Sequence, residues 1–286
     1  LKFPEITSWI RASKEDFKLV KDLGIAETGI LVSCSDYHIY NKMGLTRKGA
    51  MDKYLGVIRE VLEMGIRPRC HFEDITRADF YGFVVPFVNE LNELAHEAKI
   101  PVKIRMCDTM GYGVSYPGVA LPRSVPGIIY GLKHYSDVPS EMLEWHGHND
   151  FYKVVTNSAT AWLYGASSVN CSLLGIGERC GNCPLEAMVM EYASLRGTTD
   201  GMDTTVITEI GDYFKNEMGY DIPFAPKITT GKAGSGLHVH MRIVKDGQNQ
   251  MLDGGVLSAT ARKAIAGMMQ LAPSITAFGN TNPTSY

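Results

Sequence analysis

Between residues 5 and 200, short β-rich runs alternate with amphipathic helices, and this rhythm restricts the chain to a parallel sheet with helical crossovers. The runs are Glu5–Ile10, Thr28–Ser33, Pro68–Phe72, Val102–Cys107, Leu143–His148 and Ser168–Leu174. The helices between them carry readable punctuation. Ser13-Lys14-Glu15-Asp16 resembles a capping box with Asp in the Glu/Gln position; Phe17, Val20 and Leu23 follow on one face, and Gly24 ends the helix. A second helix is predicted from about Arg47 to Met64, with Ala50, Tyr54, Val57 and Val61 at helical spacing and Gly65 as its stop. The expected fold class is α/β: an incomplete (β/α)8 TIM barrel with about six of eight units.

Polar residues gather at the carboxyl ends of these runs: Ser33, Ser35, Asp36 and His38; His71, Glu73 and Asp74; Asp108 and Thr109; His146, His148 and Asn149. In a parallel barrel those ends converge on one mouth, where chemistry sits. In Glu144-Trp145-His146-Gly147-His148-Asn149-Asp150, two histidines one residue apart on a strand point to the same face. Two neutral imidazoles so placed can grip one divalent metal and leave positions open for a substrate. A bare His-x-His is equally an ordinary polar pair at a strand end; four polar strand ends in succession favour the functional reading.

Composition narrows the classes. A net charge of -3 without any basic block excludes a nucleic-acid binder, and the short, interrupted apolar runs exclude a membrane span. The six cysteines (Cys34, Cys70, Cys107, Cys171, Cys180, Cys183) are scattered, which suits buried thiols in a reducing cytoplasm better than a disulfide framework. The chain opens on Leu1 without a signal-peptide pattern, so its natural start is expected upstream.

After Gly197 the texture changes. Thr198–Asp203 is a small polar linker, a helix is predicted over Asp203–Met218, and Gly219–Lys227 holds two prolines. Gly231-Lys232-Ala233-Gly234-Ser235-Gly236-Leu237-His238-Val239-His240-Met241 then runs from a glycine-rich turn into an alternating strand, and a helix is predicted over Ser258–Leu271. This breaks the strand–helix rhythm. The expected domains are a partial barrel over 1–222 and a small α+β fragment over 223–286.

Four segments carry a resemblance. Ser33-Cys34-Ser35-Asp36-Tyr37-His38, Cys107-Asp108-Thr109-Met110-Gly111-Tyr112-Gly113, His146-Gly147-His148-Asn149-Asp150 and Gly175-Ile176-Gly177-Glu178-Arg179-Cys180-Gly181-Asn182 stand in the order and spacing of one family. Residues 1 to about 222 are similar to the metal-dependent barrel family of acyl-CoA condensing enzymes and lyases, which includes isopropylmalate synthase, homocitrate synthase and Re-face citrate synthase. The stretch Arg69-Cys70-His71-Phe72-Glu73-Asp74-Ile75-Thr76-Arg77-Ala78-Asp79 looks closest to the Re-citrate synthase branch.

The resemblance implies a divalent metal (Mn²⁺, Mg²⁺ or Co²⁺), acetyl-CoA as co-substrate and a 2-oxo acid acceptor, with oxaloacetate leading to citrate and CoA. His146 and His148 match the two metal-binding histidines, and Asn182 matches a further, more variable ligand. Arg69 and Thr109 match positions that hold the carboxylates and hydroxyl of the keto-acid. His71, also a substrate-side position, replaces a serine of homocitrate synthase, so that pocket is not simply inherited. Glu73 matches a carboxylate near the reacting acetyl group and is the candidate for acid–base work. The family's first strand ends in Arg-Asp-Gly, which this sequence lacks; the similarity begins at about the third strand, and little turnover is expected from the chain alone. Cys180-Gly181-Asn182-Cys183 lies inside the matching segment and has no second pair at zinc spacing, which disfavours a redox or zinc reading. Gly175-x-Gly177 is a weak nucleotide signal, because Asn182 stands where a third glycine could sit.

Residues from about 224 to 286 resemble part of the glutamine synthetase catalytic domain, through Gly234-Ser235-Gly236-Leu237-His238-Val239-His240 and the stretch from Leu271 to Tyr286. That resemblance implies His238 as a metal ligand, His240 near ATP and Gly234 as a glutamate contact. Ala233 replaces the usual asparagine, and the family's acidic strands are missing. ATP enters only if this module were complete. The alternatives to a condensing enzyme are therefore a glutamate–ammonia ligase fragment, or an inactive chimera joined near Pro223–Lys227. Both resembled families work on small molecules and assemble from several subunits, which implies a homo-oligomer.

Overall fold

The computed structural model describes residues 4–11, 14–219 and 243–279. Six strands, β1 (Ser8–Ile10), β2 (Glu27–Ser33), β3 (Arg67–Glu73), β4 (Lys103–Asp108), β5 (Leu143–Gly147) and β6 (Ser168–Asn170), form one sheet in sequential order. Every pairing is parallel. The intervening helices are α1 (Lys14–Asp22), α2 (Arg47–Glu63), α3 (Val85–Ala98), α4 (Val125–Tyr135) and α5 (Val154–Tyr164), and α6 (Leu185–Arg196) follows β6. This is the expected incomplete barrel of six units.

The two faces of the sheet differ in chemistry. One face carries Ile30, Val32, Cys70, Phe72, Ile104, Met106, Leu143 and Trp145, all buried in one core with Phe17, Tyr54, Ile58, Phe87, Leu91, Ile128 and Leu132 of the helices. The alternate residues face the other way: Glu27, Gly29, Leu31 and Ser33 on β2, Arg67, Arg69, His71 and Glu73 on β3, Lys103, Arg105 and Cys107 on β4, Glu144 and His146 on β5. The inner side of a closed barrel is usually filled by branched aliphatic side chains; here it is lined by charge. Gly29 is what lets His71 lie against β2, since a Cβ there would sit 2.6 Å from His71 Nε2 and 2.8 Å from Trp9 Cδ1.

The structure corrects several local expectations. In α2, Ile58 is fully buried and Val57 only partly, because the 3.6-residue period from Tyr54 to Val61 passes through 58. Leu23 lies beyond the end of α1 and is 67% exposed. β6 stops at Asn170 instead of Leu174, where the backbone enters a tight turn with Leu174 at φ 64. Ser13 is outside the described residues.

By internal contacts the chain divides into two compact units, Leu1–Ile207 and Thr208–Tyr286. The division falls within α7 (Val206–Asn216), which is shorter than the predicted helix. The second unit contains two antiparallel hairpins, β7–β8 (Val244–Lys245, Gln248–Asn249) and β9–β10 (Leu252–Asp253, Val256–Leu257), then α8 (Ala259–Gly279), which continues past the predicted end at Leu271. Met268 and Met269 on α8 are exposed. Among the described residues, no helix is long and apolar enough to cross a membrane.

Candidate active site at the carboxyl ends of the strands

His146 is the last inward-facing residue of β5 and His148 lies just past the strand's end; their rings meet edge to face with Nε2 atoms 3.1 Å apart. Burial first, then the neighbouring His148 and Arg105 charges, push His146 down to about 3. Burial and then Arg179 lower His148 as well. Both imidazoles are therefore neutral at pH 7, the state in which they bind metal. Asn182 pairs with His148 across an isolated β-bridge, and its Oδ1 is buried without a hydrogen-bond partner. The loop that carries Asn182 is built around Gly181, whose φ is +94 and whose Cβ, if it had one, would lie 2.4 Å from the Gly175 carbonyl oxygen. Arg179 locks the same loop by donating to Asp150 at 2.6 and 3.0 Å and to the Thr109 carbonyl at 2.6 Å.

Spacing tests whether these residues suit a divalent ion. Two metal–nitrogen bonds of about 2.1 Å at a right angle place their nitrogens roughly 3.0 Å apart, which agrees with the 3.1 Å observed. Asn182 Oδ1 is an orphaned oxygen on the residue bridged to His148. The set fits as three neutral donors. It contains no carboxylate, and among the described residues no group of three or more His, Cys, Asp or Glu is placed to hold an ion. Glu178 is the nearest acid recorded at the pair, 4.0 Å from His148 Nε2 and 80% exposed.

Glu73 ends β3 at the level of His146, with Cys107 of β4 between them in register. It accepts a short hydrogen bond from Ser33 Oγ, lies 3.3 Å from His38 Nδ1 and takes Lys42 Nζ at 3.3 and 3.4 Å. Burial opposes its ionisation, but the close approach of His38, the hydrogen bond from Ser33 and the Lys42 charge outweigh it and hold the carboxyl at about 2, below its ordinary 4.5. A depressed carboxyl contributes stability that is complete above the unfolded value and disappears as pH falls through the folded one. The window is therefore pH 4.5 down to about 2. In urea unfolding at stepped pH, the advantage of the wild type over Glu73→Gln is expected to shrink by on the order of 3 kcal/mol across that window. A constant difference would show that the carboxylate is not held by these partners.

The other expected residues are placed differently. Thr109 follows β4 at the mouth, where its hydroxyl accepts from the Asp74 amide at 2.8 Å. Arg69 lies one inward position deeper than His71 and is committed to Glu27, to Glu144 (Nε to Oε2 3.0 Å) and to Thr7. His71 is pushed down to about 2 by burial, then by Arg105, His146 and Arg69; its buried Nε2 has no partner. Sequence reasoning did not single out Glu144, Arg105, Lys42 or Arg179. For the first two a signal existed, the alternation of charged and apolar residues along β4 and β5.

All six cysteines are free. Cys183 is buried against Cys171, while Cys180 responds to Asp150 and Arg179, so the two thiols of the C-x-x-C have different neighbours. Gly234, His238 and His240 lie outside the described residues.

Comparison with known proteins gives the family. The HMGL-like family model matches residues 1–213, and the glutamine synthetase catalytic-domain model matches residues 202–286. A citrate (Re)-synthase of Clostridium kluyveri is 68% identical over 222 residues, covering 78% of this chain and 49% of its own length. A citrate (Re)-synthase of Syntrophus aciditrophicus is 57% identical over 223 residues, covering 78% of this chain and 36% of its own. The chain thus spans about half or less of the length of these relatives. Among solved structures, hydroxymethylglutaryl-CoA lyase from Pseudomonas aeruginosa superposes with a TM-score of 0.59 at 17% identity, covering 77% of this chain and 72% of that one, a likeness of fold. With six parallel strand–helix units and a family match over residues 1–213, the chain belongs to the HMGL-like family.

Proposed function

We propose that the barrel segment serves a metal-assisted Claisen-type condensation of acetyl-CoA with a 2-oxo acid, with oxaloacetate the leading acceptor and citrate and free CoA the products. The observation that carries this reading is the His146–His148 pair, two neutral imidazoles with nitrogens 3.1 Å apart at the carboxyl end of β5. Similarity to two citrate (Re)-synthases supports the acceptor. His146, His148 and Asn182 would hold the divalent ion, which when bound supplies Lewis-acid polarisation of the 2-oxo carbonyl. Thr109 accepts its hydrogen bond from the Asp74 amide, leaving the hydroxyl proton free to donate to a substrate oxygen. A carboxyl held at about 2 is a poor general base at neutral pH. Glu73 therefore acts by position: it lies 3.3 Å from His38 Nδ1, and His38 is the neighbouring imidazole proposed to exchange the proton with the acetyl group.

A second reading, glutamate–ammonia ligation, rests on the family match over residues 202–286. It concerns the residues from 202 onward and leaves the barrel site unexplained.

The test places residues 1–222 in the full-length frame of the Clostridium kluyveri relative and follows the CoA thiol. Thiol release from acetyl-CoA is expected only with both oxaloacetate and a divalent metal. Release that is indifferent to the 2-oxo acid, or that persists in chelator, rejects the proposal.

A further inference from the structure

The inner face of the sheet is not electrically balanced. Below the His146 level its cations are Arg67, Arg69, Lys103 and Arg105, and the carboxylates that meet them are Glu5, Glu27 and Glu144. Arg67 reaches Glu5 and lies 3.8 Å from Glu27; Lys103 lies 3.0 Å from Glu27 and 3.6 Å from Glu144. Arg69 joins Glu27 to Glu144, and Arg105 adds to Glu144 through Nε at 2.8 Å and Nη2 at 2.7 Å. Among the described residues this cluster sets four cations against three carboxylates. His71, the remaining titratable group packed against it, is neutral at pH 7. One positive charge is left over; Arg67 and Lys103 reach solvent at 38% and 26% exposure, whereas Arg69 and Arg105 are only 10% and 13% exposed. An unpaired charge held away from water is costly, so such a site favours an anion that completes the set.

The geometry locates that deficit at Arg105. Both of its bonded nitrogens go to the same oxygen, Glu144 Oε2, so this pairing leaves the Nη1 edge of the guanidinium unused. Arg69 approaches two carboxylates and the Thr7 hydroxyl, with its Nε buried and making no hydrogen bond among the described residues, so its remaining open atom is enclosed by the network. In register Arg105 stands between His71 and Glu144, one inward step below the Cys107–His146 pair. Such a step is about 6.6 Å along a strand. That is comparable to the span from the carbonyl oxygen of a four-carbon 2-oxo acid to its distal carboxylate plus one hydrogen bond.

We infer that Arg105 forms the subsite for the second carboxylate of a dicarboxylic 2-oxo acid, and that the surplus interior charge is what selects such acceptors over monocarboxylic ones. This rests on the reading above, in which the 2-oxo group sits at His146 and His148. A guanidinium with an open edge donates charge-assisted hydrogen bonds to a carboxylate, and each typically contributes enough for about tenfold in affinity.

The test is calorimetric titration of the full chain, with Mg²⁺ present, using oxaloacetate and pyruvate, which differ only in the second carboxylate. The wild type is expected to prefer oxaloacetate by about 10- to 100-fold. Arg105→Gln is expected to abolish that preference, with pyruvate affinity as the internal reference. Arg105→Lys retains the charge without the fork, so a preference several-fold weaker than wild type is expected. This variant carries the test if the glutamine form does not fold by circular dichroism. A folded Arg105→Gln that still prefers oxaloacetate, or an Arg105→Lys indistinguishable from wild type, overturns the inference. Equal wild-type affinity for both acids overturns it while leaving the condensing reading intact. Binding of neither acid defeats the condensing reading and this inference together.

Discussion

Replacing Glu144 by Leu is expected to cost this chain about 3–5 kcal/mol of folding stability, the range for removing one partner of a buried ion pair. Glu144 is 4% exposed and receives Arg69 Nε at 3.0 Å and Arg105 Nε at 2.8 Å, with Lys103 at 3.6 Å. Without it, Arg69 and Lys103 keep only Glu27, and Arg105 loses the carboxylate it pairs with. Leucine matches much of the volume, so the loss comes from uncompensated charge and not from a cavity. Such a loss is a large fraction of the roughly 5–15 kcal/mol that holds a typical domain together. Glu144→Gln, which still accepts hydrogen bonds, is expected to lose less. Urea unfolding at pH 7 separates the cases. A leucine variant as stable as the wild type would show that the inner face admits water or counter-ions and is not a desolvated network.

The second large effect is expected at the proposed metal site. His146→Ala should weaken divalent-ion binding by 100-fold or more, beyond the 10- to 100-fold typical of losing a mere supporting contact. Each donor in a neutral three-member set carries a large share of the binding. Because His146 is already uncharged, pushed down to about 3, its removal deletes a lone pair without altering the charge balance. Folding stability should therefore change far less than in Glu144→Leu. Mn²⁺ titration followed by electron paramagnetic resonance reads the affinity directly, independent of turnover. In the full-length frame the same substitution should abolish CoA release. Retained Mn²⁺ binding would sink the assignment of His146 as a ligand.

Much of the fold was legible because its signals are local. Five of the six predicted strands begin within about one residue of those observed, since alternation and glycine stops act over a few neighbours. The exception is β1, which starts at Ser8 instead of Glu5. The misplacements at Val57 and Leu23 arose where one residue of helical phase separates core from surface. The two histidines were visible for the same reason, being fixed on one face by their spacing. What surrounds them was not. Glu73 meets Lys42 across 31 residues, and Arg69 meets Glu27 across 42, through side-chain contacts that no short window contains.

The sequence by itself determined which residues form strands, that their ends are polar, and that His146 and His148 share a face, because each follows from backbone periodicity. Tertiary structure alone decided that Glu144 is the hub of the inner network, that Glu73 is held ionised by Ser33, His38 and Lys42, and that Arg105 keeps an open edge. Those outcomes depend on parallel register, which brings side chains from separate strands to one level and excludes the water that would otherwise satisfy them.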